Sequence, residues 1–323
     1  MAHIIRLKAP GGTDQLENAT VELPPPQHDE IRVRQTAIGV NFIDIYQRMG
    51  LYPLPPAAIP GVEAVGWVTA VGAGVTSLRV GDRIVYAGAP IGAYASERNL
   101  PAWRAIGLQE PIADEAAASV FVKGITAHML LTRVYPVGPD TTVLIHSAAG
   151  GLGQLVTRWA RHLGATVIGT VGSDIKAATA RNAGAHHAIV GRNADFARAV
   201  ADLTEARGVD VAYDGVGGST LAKTLQCVRP FGVVASIGQS AGAIPPVDVE
   251  DLGPRRSLML ARPSVMAYMN RAKDYRIAAE AVLTVVREGI LKSAGKPYRL
   301  SEAAQAHADL EEGRTSGSLY LVP

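Results

Sequence analysis

The segment from Thr142 to Gly153 constrains the fold of this chain more than any other feature of the sequence. It begins with a β-forming apolar run and continues through His146 into a glycine-rich turn, after which apolar residues recur at helical spacing as far as Leu163. In such a strand, turn and helix, backbone N–H groups and the helix dipole favour a diphosphate. The segment therefore predicts a dinucleotide site. The residues expected next to the diphosphate are Gly150, Gly151, Leu152 and Gly153.

This turn departs from the usual G-x-G-x-x-G pattern, because Ala148 occupies the first glycine position. A strand-to-helix turn without a ligand is therefore an alternative. The sequence downstream favours the nucleotide site, since strands and helices go on alternating at the spacing of βα units. This alternation indicates an α/β fold with a doubly wound parallel sheet. The predicted strands are Val143 to Ile145, Thr166 to Thr170, His187 to Val190, Val209 to Tyr213, Val233 to Ile237 and Leu258 to Leu260, and helices are predicted at Asp174 to Ala183 and Asp195 to Ala206.

The flanking parts of the chain predict a second domain. The first third is β-rich, and the last third contains a helix at Ala272 to Glu288, a helix with Ser301 as its N-cap and a final strand at Leu319 to Val322. Because that strand has no obvious partner in the nucleotide domain, we place it with the first third, so the nucleotide domain is an insertion. The predicted domains are residues 1–124 with 263–323, and residues 125–262. Strands in the first third are predicted at Ile4 to Leu7, Val21 to Leu23, Ile31 to Ile38, Val65 to Val71 and Arg83 to Tyr86.

The end of the second strand of the nucleotide domain indicates the cofactor. A carboxylate normally stands there and accepts hydrogen bonds from the ribose 2′-hydroxyl. Here Gly172 and Ser173 follow the strand, and Lys176 lies one turn into the next helix, a composition that favours a 2′-phosphate and hence NADPH. Asp174 is interpreted as the N-cap of that helix. Arg192 is either a second phosphate partner or a solvated surface arginine.

Composition excludes several other classes of function. The 31 basic and 29 acidic residues are interspersed, which argues against nucleic acid or a membrane as the main partner. Cys227 is the only cysteine, so there is no intramolecular disulfide, and a reducing, cytoplasmic location is expected. His186 and His187 are the only close histidine pair and have no cysteine or carboxylate cluster beside them, so no metal site is predicted.

A polar and aromatic cluster in the first third predicts the substrate side of the site. Asn41, Asp44, Tyr46 and Tyr52 stand close together in a chain with only 5% aromatic residues. Tyrosine hydroxyls can hydrogen-bond a carbonyl or quinone oxygen while their rings stack on a flat substrate. A packed turn with tyrosines at its rim is the alternative.

The motifs together resemble the medium-chain dehydrogenase/reductase superfamily, and in particular its zinc-free, zeta-crystallin-like quinone oxidoreductases. Zinc-dependent members carry a cysteine near position 40 and a histidine where this chain has Val62. The resemblance implies a GroES-like catalytic domain interrupted by a Rossmann domain, with no zinc. The motifs that carry it are Asn41 to Asp44 with Tyr46 and Tyr52, Pro60 to Glu63, Val80 to Val85, Lys123 to Ala127, Ala148 to Gly153, Gly169 to Gly172 and Arg262 to Ser264.

Residue roles are also implied by this resemblance. Asn41, Tyr46 and Tyr52 would line the substrate position, and Lys176 would contact the 2′-phosphate. Relatives often carry a tyrosine where this chain has Gly191, which leaves Arg192 as the neighbour. The residues implied around the nicotinamide are Thr126, Gly238, Ser240 and Arg262.

These observations predict an NADPH-dependent quinone oxidoreductase that transfers hydride from the nicotinamide to a quinone. Reduction of the carbon–carbon double bond of an enal or enone is the alternative within enzymes, because the same hydride geometry permits it. A non-catalytic, crystallin-like NADPH-binding protein is the alternative from another class. A homodimer is expected, because the strand at Leu258 to Leu260 would form an apolar sheet edge.

Overall fold

The computed structural model describes residues 1–254, 256–292 and 295–323. The chain divides into two compact units, Met1–Ile125 with Met266–Pro323, and Thr126–Val265. The second unit is inserted into the sequence of the first. Along the described residues, no helix combines the length and apolarity needed to cross a membrane.

The helices and strands are numbered here in chain order. The first group comprises β1 (Ala2–Leu7), β2 (Leu16–Val21), β3 (Glu30–Val40), α1 (Phe42–Arg48), β4 (Glu63–Val71), β5 (Arg83–Ala87), β6 (Glu97–Pro101), β7 (Ile106–Gly107) and α2 (Asp114–Met129). The second group comprises β8 (Thr142–Ile145), α3 (Gly151–His162), β9 (Thr166–Val171), α4 (Asp174–Asn182), β10 (His187–Val190), α5 (Phe196–Leu203), β11 (Val209–Asp214), α6 (Thr220–Leu225), β12 (Val228–Ser236) and β13 (Met259–Ala261). The third group comprises α7 (Val265–Met269), α8 (Ala272–Arg287), β14 (Lys296–Arg299), α9 (Ala303–Glu311) and β15 (Leu319–Val322).

The first unit is built on a seven-stranded sheet in which β14, β15, β3, β4, β5 and β7 follow one another and β6 also pairs with β3. The pairing of β15 with β3, with Leu319 opposite Val40, confirms the prediction that the last strand returns to the first domain. Long β3 presents fully buried Ile31, Val33 and Ile38 to the core of this unit. Each such side chain contributes about 1.5–3 kcal/mol by leaving water, so β3 is the strand that anchors the core.

The second unit is a six-stranded parallel sheet with the order β10, β9, β8, β11, β12, β13. The order reverses between β8 and β11, and ligands of such sheets bind at the carboxyl ends of the strands where this happens. All six residues of β11 are buried, as expected for a central strand covered on both faces. The predicted doubly wound sheet is confirmed, including a sixth strand displaced by one residue to Met259–Ala261.

Some predicted boundaries were wrong. The second strand ends at Val21 instead of beginning there, because it pairs with β1 in register and the prolines that follow end the ladder. Helix α5 stops at Leu203, since Glu205 and Ala206 adopt left-handed backbone angles, with φ of 50° and 61°. Strands β6, β7 and β14 are short and were not predicted, because their residues do not alternate between apolar and polar.

The predicted N-cap of the last helix was also wrong. Ser301 lies inside a short 3-10 turn, Leu300–Glu302, and α9 begins only at Ala303. The carboxylate of Glu302 accepts the backbone N–H of Arg299 at 2.8 Å, which fixes the tighter turn ahead of the helix.

Candidate active site

The glycine turn leaves its backbone donors available to an anion. Gly150 is the N-cap of α3, no side chain caps the helix, and its first turn contains no acidic residue. A Cβ on Gly153 would lie 2.2 Å from the carbonyl oxygen of Ser147, so only glycine allows the helix to approach the turn this closely. Uncapped N–H groups at a helix N-terminus favour phosphate. The turn therefore fits the diphosphate of a dinucleotide.

A buried hydrogen-bond network holds the strand ends beneath this turn. His146 Nδ1 lies 2.9 Å from Thr170 Oγ1 and its Nε2 lies 2.9 Å from Thr224 Oγ1. Thr224 Oγ1 donates to Asp214 Oδ2 at 3.0 Å, and Asp214 Oδ1 accepts two backbone N–H groups of the following loop. Burial lowers the pKa of His146, so the imidazole is neutral. The network ties together the carboxyl ends of β8, β9 and β11.

The segments that follow β9 and β10 each contain a cationic residue. Ser173 is the N-cap of α4, because its Oγ accepts the backbone N–H of Lys176 at 3.5 Å and its backbone is extended. The interpretation of Asp174 as the N-cap was therefore wrong, since Asp174 is the first residue of the helix. A Cβ built on Gly172 would lie 3.6 Å from Cγ of Arg192, so the arginine side chain passes close to this glycine. Arg192 beside Gly172 and Lys176 in α4 are cationic residues of the kind that bind a 2′-phosphate.

The loops after β11 and β12 contain the other residues implied for the cofactor. A Cβ on Gly238 would lie 2.7 Å from the carbonyl oxygen of Gly215, which brings the two loops into close contact. Ser240 Oγ donates to the same carbonyl at 3.3 Å. Arg262 donates through Nη1 to Ser236 Oγ at 2.8 Å, so its guanidinium is held at the end of β12. Thr126 lies further away in sequence, on α2, and is half-buried.

The predicted substrate residues lie immediately before, on and just after α1. Tyr46 and Tyr52 pack edge to face, with ring centroids 5.6 Å apart and an interplanar angle of 86°. Tyr46 is 9% exposed and Tyr52 is 41% exposed, so only the second ring faces solvent broadly. Asn41 precedes the helix and is buried; its backbone N–H donates to Asp44 Oδ2 at 2.8 Å. The tyrosines are therefore brought into contact, and Asn41 is held at the start of the same helix.

Two buried charges beside Asn41 were not predicted from the sequence. Asn41 Nδ2 donates to Glu63 Oε1 at 2.8 Å, and Glu63 Oε2 accepts the backbone N–H of Val122 at 2.7 Å. Lys123 Nζ lies 4.0 Å from Glu63 Oε1 and donates to the carbonyl oxygen of Val40 at 3.1 Å. Burial raises the pKa of Glu63 and lowers that of Lys123. Both belong to motifs noted in the sequence, but nothing in the spacing indicated that they would meet.

A second buried chain of polar groups leads away from Asp44. Tyr94 donates its hydroxyl to Asp44 Oδ2 at 3.2 Å, and His307 Nε2 lies 2.8 Å from the same hydroxyl. Arg48 Nη1 lies 3.5 Å from His307 Nδ1 and forms a bidentate ion pair with Glu311 at 2.7 and 2.8 Å. Burial raises the pKa of Asp44 to about 7. Burial, with the nearby Arg48 charge, lowers the pKa of His307 to about 3.

The resemblance stated from the sequence implies that Val40-Asn41 and Val62 stand where zinc-dependent members carry zinc ligands. Val62 is fully buried and has no metal-binding atom, and the Asn41 amide is engaged by Glu63. A search of the described residues finds no group of three or more histidine, cysteine, aspartate or glutamate side chains that could hold a metal ion.

Comparison with known proteins agrees with both units. Residues 27–110 match the family model of the alcohol dehydrogenase GroES-like domain, and residues 151–283 match that of the zinc-binding dehydrogenases. The chain is 42% identical to the 2-haloacrylate reductase of a Burkholderia species, over 100% of this chain and 99% of that protein. It is 38% identical to quinone oxidoreductase 1 of Escherichia coli over the full length of both. It belongs to the medium-chain dehydrogenase/reductase superfamily.

Membership of this superfamily confirms the expected GroES-like domain with an inserted Rossmann domain. A solved structure of the Escherichia coli quinone oxidoreductase complexed with NADPH has a TM-score of 0.96 to this chain at 38% identity, and all of each chain is covered. The resemblance to the quinone oxidoreductase group stated from the sequence motifs is therefore confirmed.

Proposed function

We propose that this chain is an NADPH-dependent quinone oxidoreductase that works without zinc. The observation that carries the proposal is the full-length similarity to the Escherichia coli quinone oxidoreductase, whose structure was solved with NADPH. The chemistry of the site agrees with it. The glycine turn presents uncapped N–H groups, and the cationic residues Lys176, in the first turns of α4, and Arg192, beside Gly172, suit a 2′-phosphate.

Several segments of the second unit would hold the cofactor. Bound NADPH supplies a hydride from C4 of its nicotinamide. The backbone from Gly150 to Gly153 would bind the diphosphate. Gly172, Ser173, Lys176 and Arg192 would bind the 2′-phosphate. Thr126, Gly238, Ser240 and Arg262 would orient the nicotinamide.

The first unit supplies the substrate-binding side chains. Tyr52 exposes its ring, and its contact with Tyr46 holds both rings at right angles. Such a pair suits a flat substrate, with one ring stacking on it and a hydroxyl donating to its oxygen. Asn41 would add an amide contact. We assign these three residues to orientation of the substrate; the reduced quinone can take its protons from water.

The test is NADPH oxidation with a flat ortho-quinone, compared between the wild type and a Tyr46→Phe, Tyr52→Phe double variant. The rings and their packing remain in the variant, so the loss isolates the hydroxyls. We expect kcat/KM to fall by about tenfold or more, the effect of losing one or two hydrogen bonds. Equal turnover by the two proteins would contradict the assignment of the tyrosines, and no turnover by the wild type would contradict the function.

Reduction of a carbon–carbon double bond is the second candidate. It is favoured by the 42% identity to the 2-haloacrylate reductase over the whole chain. Hydride delivery to an enal, enone or halogenated acrylate needs the same placement of a flat electrophile. A panel of quinones, enones and 2-haloacrylates under one set of conditions ranks the two candidates by kcat/KM. If NADPH binds with micromolar affinity and no electrophile is reduced, the chain is instead a non-catalytic NADPH-binding protein.

We also propose a cytoplasmic homodimer. Strand β13 is the edge of the six-stranded sheet, and it exposes Met259 by 51% and Leu260 by 36%. An apolar edge strand with unpaired backbone groups favours a partner strand. Sedimentation should give twice the chain mass at micromolar concentration, and a Leu260→Lys variant should sediment as a monomer. A monomeric wild type would contradict the dimer.

A further inference from the structure

Three buried charged side chains converge on Asn41 from three different elements. Lys123 on α2 binds the carbonyl oxygen of the preceding residue, Asp44 on α1 accepts the Asn41 backbone N–H, and Glu63 on β4 accepts its side-chain amide. Burying ionisable groups opposes folding, and apolar residues of similar volume are often as stable or more so. The arrangement is therefore better explained by what it does to Asn41 than by stability.

The ionised carboxylate of Glu63 determines how the Asn41 amide is oriented. A carboxylate can only accept hydrogen bonds, so Nδ2 of Asn41 must face it and Oδ1 must face away. Glu63 Oε2 is engaged by the backbone N–H of Val122. A proton taken up by Glu63 would therefore reside on Oε1, the oxygen that faces Asn41. The resulting Oε1–H group could donate to Oδ1 of Asn41, and the amide group would flip to accept that hydrogen bond.

The charge on Lys123 keeps Glu63 ionised. Its ammonium lies 4.0 Å from Glu63 Oε1 and favours the carboxylate. Among the residues that the structure describes, the other titratable groups that interact with Glu63 are Asp44 on α1, Tyr86 on β5, Tyr94 in the loop after β5 and Tyr275 on α8. The tyrosines are neutral around pH 7 and Asp44 is never positive, so none of them can replace the lysine.

We propose that Lys123 and Glu63 are positioning residues that hold the Asn41 amide in the single orientation in which it meets the substrate. This inference rests on the proposed function, which places Asn41 against the substrate. Removing the lysine charge lets Glu63 take up a proton, and the amide then samples two orientations. Substrate binding weakens, although no residue that contacts the substrate has changed.

The first test is a measurement of charge that needs neither cofactor nor substrate. Lys123→Met removes one positive charge, and proton uptake by Glu63 restores the balance. Asp44→Asn is present in both proteins, because Lys123 also lowers the pKa of Asp44, and we expect Lys123→Met to shift migration in a native gel by less than one charge unit. The matched control is Lys8→Met, which removes an exposed lysine and should move the protein by one charge unit. Loss of a full charge in Lys123→Met would overturn the proposal.

The second test is the pH dependence of KM for the quinone. Lys123 also lowers the pKa of Asp44, so both proteins are compared in an Asp44→Asn background, and the quantity to compare is the ratio of the KM with Lys123→Met to the KM without it. For Lys123→Met this ratio should be about ten at the acid end of the pH range in which the protein is stable, the loss of roughly one hydrogen bond, and should fall as the pH rises and Glu63 ionises. A ratio of one, or a ratio raised equally at every pH, would overturn the proposal, because a purely structural defect gives no recovery.

A double variant keeps the test decisive if the single variant folds poorly. Lys123→Met with Glu63→Gln carries no buried charge at this place, and its glutamine amide can donate or accept. Its KM ratio should be raised at all pH values, while the NADPH dissociation constant stays at the wild-type value. A wild-type KM in the double variant would overturn the proposal. Absence of any turnover in the wild type would instead contradict the proposed function, and the charge measurement would still test whether Lys123 keeps Glu63 ionised.

Discussion

Replacing Asp44 with asparagine should change the pH dependence of stability in a defined direction. Asp44 is fully buried, receives hydrogen bonds from the Asn41 N–H and the Tyr94 hydroxyl, and has no partner within the described residues for its Oδ1 atom. Burial raises its pKa from an ordinary 3.8 to about 7. The folded protein therefore binds a proton that the unfolded chain releases above pH 4. The resulting stabilisation is complete below pH 3.8 and is lost as the pH rises to 7.

The size of the effect follows from the pKa difference. Each pKa unit corresponds to about 1.4 kcal/mol, so the contribution of Asp44 falls by about 4 kcal/mol across this range. The asparagine introduced by Asp44→Asn cannot titrate and keeps an oxygen for the two donors. Its amide N–H groups lie where Oδ1 had no partner and cost about 1–3 kcal/mol at every pH. The expected signature is therefore a free energy of unfolding, relative to wild type, that rises with pH.

His307, at the other end of the Tyr94 hydrogen bond, should show the opposite slope. Its pKa is lowered from 6.5 to about 3, so the unfolded chain binds the proton more readily and stability is lost as the pH falls below 6.5. The two slopes largely cancel in the wild type between pH 4 and 6.5. Urea unfolding of the wild type, Asp44→Asn and His307→Gln at half-unit steps from pH 4.5 to 7.5 would separate them. A difference between Asp44→Asn and wild type that stays constant over this range would refute the reasoning.

Two further predictions concern the residues proposed to bind NADPH. Gly153→Ala places a Cβ 2.2 Å from the carbonyl oxygen of Ser147, so it should cost about 1–3 kcal/mol of stability and weaken NADPH binding. Gly150→Ala places its Cβ 3.2 Å from the same oxygen and should have a much smaller effect on both stability and NADPH binding. Denaturant unfolding and NADPH titration measure both, and equal effects would contradict the packing argument. Lys176→Ala and Arg192→Ala should each raise the NADPH dissociation constant about tenfold and leave that of NADH unchanged, as for loss of a charge-assisted hydrogen bond. Equal weakening for NADH would show that these residues do not bind the 2′-phosphate.

The parts of the structure that the sequence predicted are those determined by local pattern. The turn before α3 and the alternating strands of the parallel sheet follow from glycine placement and apolar periodicity, which act over a few residues. The cap of α4 was misassigned because Ser173 and Asp174 are neighbours and both favour that position. Which of the two residues caps the helix depends on where the backbone changes from extended to helical, and composition does not specify that point.

The surroundings of the residues proposed to bind the substrate could be predicted only in part, because their contacts join distant segments of the chain. Asn41 and the two tyrosines were found from composition within a dozen residues. Glu63 meets Val122 across 59 positions of sequence, and Tyr94 meets His307 across 213. The contact of His307 could not be predicted from the sequence, because a hydrogen-bond partner that far along the chain leaves no periodic signal. Such pairs are defined by the fold of the sheet, which brings their elements together.

The residues proposed to bind the cofactor and those proposed to bind the substrate therefore differ in how mutations should affect them. The proposed cofactor-binding turn relies on backbone N–H groups and on glycines that allow α3 to approach it closely, so substitutions there should impair both packing and NADPH binding. The residues proposed to bind the substrate are held by buried ionisable groups, whose desolvation opposes folding. Replacing such a group can raise stability while it impairs substrate binding, the usual conflict between stability and activity. Asp44→Asn at pH 8 is the clearest case: a stabilised protein with a raised KM would indicate that the buried carboxyl is retained for the substrate.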